Sequence, residues 1–116
     1  MAKNRSGVTL ALCTLLHATT HALGSMLVPL YLIMRDDLRR GGVKEIALIV
    51  TVYGLVYCLL SYPAGILADR WNRMVVLGVG MIGNACAVAL MGLTHRYELL
   101  LALGVMGGMF GAVFHP

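Results

Sequence analysis

Two histidines, His17 and His21, stand four residues apart inside a long apolar run. On a helix that spacing puts both rings on one face. An ionisable group within a membrane span is a candidate functional residue by default, because burying it there is costly. Imidazole can carry a proton, bind an anion when charged, or ligate a metal or haem. His115, at the end of a later apolar run, is a third member of the same candidate pathway. Three readings of the pair stand side by side. The rings hydrogen-bond to helix backbone or to Thr19, Thr20 and Ser25; they line a substrate or proton path; or they hold a metal or haem. No Asp or Glu accompanies them within the run, so neither metal nor cofactor is expected.

The second constellation is Gly65-Ile66-Leu67-Ala68-Asp69-Arg70-Trp71-Asn72-Arg73. Residues 46–68 before the charges and 74–94 after them contain no charge. A charge at the bilayer centre costs about 2.5–3.5 kcal/mol on insertion scales, so this cluster belongs at a membrane surface, in a short turn between two spans. Gly65 lets a neighbouring helix approach. Asp69 is expected just before the third helix, whose N-terminal amides favour a negative charge. Arg70 is expected beyond the last turn of the second helix, where a positive charge is favoured. Asn72 tolerates the left-handed conformation that a tight turn often needs. Arg73, four residues from Asp69, can pair with it.

Composition sets the elements that must position these groups. The 116 residues are 59% hydrophobic and 12% charged, with mean hydropathy +0.85. Soluble domains carry about 25% charged residues, so this is an integral membrane protein. The net charge of +4 sits in loops and at the N-terminus, without a basic stripe, and excludes nucleic acid as a partner. Spans of about 20 apolar residues are read at 8–34, 46–68, 74–94 and 99–116. The first is too long for the apolar core of a signal peptide. Cys13, Cys58 and Cys86 all lie in apolar runs without a C-x-x-C pair, which excludes a disulfide framework. Gly78-Val79-Gly80-Met81-Ile82-Gly83 matches a dinucleotide fingerprint in letters alone, because it follows no strand. Gly104, Gly107, Gly108 and Gly111 give two overlapping G-x-x-x-G spacings, read as close helix packing within one bundle. Basic residues are balanced between the two sides, so charge alone does not set the orientation.

The Gly65–Arg73 pattern resembles the loop between the second and third helices of major facilitator superfamily transporters. Gly65, Leu67, Ala68, Asp69, Arg70 and Arg73 match it; Asn72 replaces a usual glycine, and Met74 a common basic residue. The resemblance implies an all-α membrane fold: four transmembrane helices of the N-terminal bundle of a transporter built from two six-helix halves. It implies a cytoplasmic N-terminus, a cell-membrane location, and no enzymatic activity. Gly65, Asp69, Arg70 and Arg73 would be a gating motif that latches the halves together. The implied activity is proton-coupled efflux of a drug or small organic molecule. The lipid bilayer, that molecule and the remaining helices of a full-length transporter are the implied partners. The chain is read as a truncated N-terminal fragment that does not transport alone. More narrowly, Gly107–Pro116 looks like the fourth-helix segment of fosmidomycin-resistance-type transporters. Two alternatives differ in class. A complete four-helix multidrug transporter would use a glutamate in its first helix, which this chain lacks. A haem-binding four-helix subunit would hold its iron between His17 or His21 and His115.

Overall fold

The computed structural model describes residues 2–37 and 42–114. Four helices follow in order: α1 (Ala2–Asp37), α2 (Val43–Arg70), α3 (Arg73–Met91) and α4 (Tyr97–Gly111). A 3-10 turn over Ala112–Phe114 continues α4. Among the described residues all four helices are long and apolar enough to cross a membrane. The physical cause is plain: hydrocarbon offers backbone N–H and C=O groups no partner, so an apolar run satisfies them internally as helix. Pro29 and Pro63 lie inside α1 and α2 without ending them. The bundle is elongated, 57 × 26 × 18 Å. Its length fits α1, whose 36 residues at about 1.5 Å each make roughly 54 Å.

The helices are not equal partners. α4 packs along both α2 and α3, while α2 and α3, although consecutive, touch each other little. Small residues make this possible. A Cβ on Gly108 would lie 2.5 Å from the Tyr53 carbonyl oxygen, and one on Gly107 would lie 2.8 Å from the Tyr53 ring. On the other flank, a Cβ on Gly83 would sit 2.5 Å from the Phe110 ring. The glycine spacings therefore serve packing inside this bundle. An apolar cluster of Leu27, Ile46, Ile49, Tyr53, Met91, Leu100 and Leu103 fills the half away from the α2–α3 turn. Most other large apolar side chains, among them Leu59, Ile82 and Leu93, face outward, as lipid contact requires.

One polar contact is buried between helices. The Tyr53 hydroxyl donates to Asn84 Oδ1 at 3.3 Å. Asn84 is fully buried, and among the described residues its Nδ2 has no hydrogen-bond partner. Tyr53 lies about 15 Å along α2 from Val43, well away from the interfacial zone where tyrosines gather.

Candidate functional site

The connection between α2 and α3 is only two residues, Trp71 and Asn72, both with extended backbone. The Trp71 N–H donates to the Leu67 carbonyl and closes α2. Asn72 caps α3: its Oδ1 accepts from the Met74 N–H at 3.0 Å, and its carbonyl accepts from Val75 and Val76. This corrects the expectation of a left-handed Asn72, since φ there is −70°. The turn reverses the chain with extended residues and needs asparagine for its side-chain acceptor, which satisfies an otherwise orphaned helix N–H.

Asp69 also sits differently from expectation. It belongs to the last turn of α2, with Arg70 the last helical residue, and Arg73 opens α3. An Arg73 guanidinium nitrogen donates to an Asp69 carboxylate oxygen, so the ion pair ties the end of one helix to the start of the next. Each partner is placed where its own helix disfavours it: a carboxylate at a C-terminus and a cation at an N-terminus. Pairing offsets that. Both side chains are about two-thirds exposed or more, 65% and 73%, so the pair adds little to stability. Arg70 is exposed and, among the described residues, unpaired with any carboxylate. Gly65 is half-buried on α2, one turn before Asp69.

A cavity of about 310 Å³ lies beside this turn, lined by Cys13, Leu16 and His17 of α1 together with Asp69, Arg73 and Leu77. The structure thus brings His17 to the level of the Asp69–Arg73 pair. From there α1 presents two faces. Thr14, His17, His21 and Ser25, spaced by three, four and four residues, are all exposed. Thr20 and Leu27 are buried on another face, and the Thr20 hydroxyl bonds the Leu16 carbonyl and approaches Met81 of α3. Thr19 likewise bonds its own helix, at the Leu15 carbonyl. The Nε2 atoms of His17 and His21 face each other at 3.2 Å. His115 lies outside the described residues.

Tyr53 was not legible as a special residue among the five tyrosines of the sequence. Its position in mid-span was the available signal, because a buried hydroxyl needs a partner. Asn84 was legible as polar and deep, without its partner.

The comparisons with known proteins agree with this architecture. The Major Facilitator Superfamily profile matches residues 10–116. A multidrug efflux pump, LfrA of Mycolicibacterium smegmatis, is 34% identical over 107 residues, covering 92% of this chain and 20% of that protein. The quinolone resistance protein NorA of Staphylococcus aureus is 23% identical over 91 residues, covering 78% of this chain and 23% of its own length. Neither is named for fosmidomycin. No solved structure matches significantly. The chain spans about a fifth of the length of the curated relatives it matches. A profile match over nearly all of the chain, on a bundle of four membrane-spanning helices, makes this multi-pass membrane protein a member of the Major Facilitator Superfamily.

Proposed function

We propose that this chain is the N-terminal part of a proton-coupled secondary transporter that exports a drug or small organic molecule. Both relatives carry names of drug efflux or drug resistance, which supports that cargo class. The observation that carries the reading is the Asp69–Arg73 pair across the two-residue α2–α3 turn, with Arg70 beside it. Such a pair, weak and exposed, is suited to being exchanged for contacts with another part of the protein. Gly65, Asp69, Arg70 and Arg73 then form a latch at the cytoplasmic face, and the N-terminus lies on that same side. Opening and closing the latch would bias the rocking of one half of the transporter against the other. The polar face of α1, with His17 and His21, faces the substrate or proton path, to which His115 is also assigned. Substrate and coupling proton then meet side chains of α1 rather than lipid.

Co-expression tests this. The chain is produced in an efflux-deficient host alone, or with the part of the M. smegmatis relative that follows the matched segment. Accumulation of a fluorescent drug is then followed with and without a protonophore. Efflux is expected only from the pair, and Asp69→Asn is expected to abolish it. Saturable, protonophore-sensitive efflux by the chain alone would refute the proposal that it is one part of a larger transporter.

A further inference from the structure

The rings of His17 and His21 meet edge to face, with centroids 4.6 Å apart and planes at 77°. Their Nε2 atoms converge to 3.2 Å. Spacing by four residues puts two histidines on one face, but it does not oblige the same ring nitrogen of each to point at the other. With both rings neutral, one Nε2–H can donate to the other lone pair at this distance. The same distance is also what a shared metal ion imposes. Ligand bonds of about 2.0–2.1 Å meeting at a tetrahedral angle hold two imidazole nitrogens roughly 3.3–3.4 Å apart.

We propose that His17 and His21 form a preorganised two-nitrogen site for a divalent transition-metal ion of the zinc, nickel or copper class. The Nε2 proton of the donor ring passes by way of solvent to that ring's own Nδ1, so both rings stay neutral and both Nε2 lone pairs face the ion. Almost no movement is needed, because both side chains sit on one unbroken helix and the nitrogens already stand at chelating distance. Two histidines four residues apart on a helix are the zinc-holding part of the H-E-x-x-H arrangement. Here the sequence reads His17-Ala18-Thr19-Thr20-His21, without the glutamate that would serve as a base, so the site binds and does not hydrolyse.

The surroundings define the rest. Both histidines are exposed, and His17 lines the cavity beside the α2–α3 turn, which gives an ion a way in. The cation nearest that route, Arg73, is neutralised by Asp69. Among the described residues no third His, Cys, Asp or Glu completes a cluster with the pair. The remaining coordination positions are therefore open to water or to an exchangeable ligand, as in metal sites that act on what they bind. Imidazole donors favour zinc, nickel and copper over magnesium and calcium, which prefer oxygen. The inference rests on ring geometry and stands apart from the transport reading; it would hold for a chain that moves nothing.

The test is calorimetric titration of the untagged 116-residue chain in lipid nanodiscs with NiCl2, and in parallel with MgCl2. One Ni²⁺ per chain is expected, and no Mg²⁺. Loss of either histidine removes the chelate, so His17→Ala and His21→Ala should each weaken Ni²⁺ binding about tenfold or more. His21→Gln separates the two readings of the geometry. It leaves His17 a hydrogen-bond partner and preserves helicity by circular dichroism, yet should lose Ni²⁺ as fully as His21→Ala. Cys13→Ser and His95→Ala should bind as the parent does. Parent binding no tighter than that of the His17→Ala/His21→Ala double variant would overturn the proposal. So would equal binding of Mg²⁺, or a loss that follows Cys13 or His95 instead.

Discussion

α4 and α1 are apolar helices of one bundle, yet they are built on opposite plans. Over α4 and the 3-10 turn that continues it, 39% of the residues are buried; over the most apolar stretch of α1, 11%. α4 brings four glycines to its neighbours and presents almost no side-chain chemistry. α1 packs loosely and turns Thr14, His17, His21 and Ser25 outward. Inside lipid the hydrophobic effect does not drive helices together, so close backbone approach must do it. The contrast separates scaffold from working surface. The small residues hold the bundle, and the polar ones are left where lipid alone would be a poor neighbour.

The sharpest way to break this contrast is to fill α4. Gly108→Leu places a Cβ 2.5 Å from the Tyr53 backbone oxygen, which cannot swing aside as a side chain would. We expect a loss of about 3 kcal/mol in a dodecyl sulfate unfolding titration, at the upper end for overpacking. Gly78→Ala, with nothing within 4 Å of the added carbon, should instead gain stability, by up to about 1 kcal/mol, from the better helix propensity of alanine. Equal effects from the two would mean that α4 is not packed as described.

Between scaffold and surface lies the Tyr53–Asn84 contact, where α2 and α3 meet against α4. Tyr53→Phe leaves both amide atoms of the buried Asn84 unpaired and should cost about 1 kcal/mol, within the range for hydrogen bonds between membrane helices. Adding Asn84→Leu should recover much of that loss, because removing both polar partners is milder than orphaning one. A double variant less stable than Tyr53→Phe would show that Asn84 has a second use for its amide.

How far the sequence foretold these parts follows from the range of each interaction. The four helices were legible because span length and apolarity are properties of a run, averaged over some twenty residues. The histidine pair and the Asp69–Arg73 pair were legible because four residues is a local distance. Tyr53 and Asn84 are 31 positions apart, and only the register of α2 against α3 joins them. Asn72 failed for a different reason. Asparagine suits both a left-handed turn and a helix cap, and the two-residue connection left room only for the cap. Asn72→Ala should accordingly cost about 1 kcal/mol, the usual worth of such a cap, in the same unfolding titration.

The smallest expected change in stability is the most telling about the surface. Asp69 and Arg73 each occupy a helix end of unfavourable sign, and exposure makes their pairing weak. Exchanging them, Asp69→Arg with Arg73→Asp, keeps the pair and puts each charge at the helix end that favours it. Stability should therefore rise slightly, by about 0.5 kcal/mol at low salt, and the gain should fade as salt screens it. A residue pair selected for holding the fold would already have that order. If the exchanged chain is as stable as the parent or more so, yet fails to support efflux when co-expressed with the rest of a transporter, the order of charges serves what the turn meets and not the turn itself. If it loses stability instead, the pair belongs with α4 on the scaffold side of the contrast.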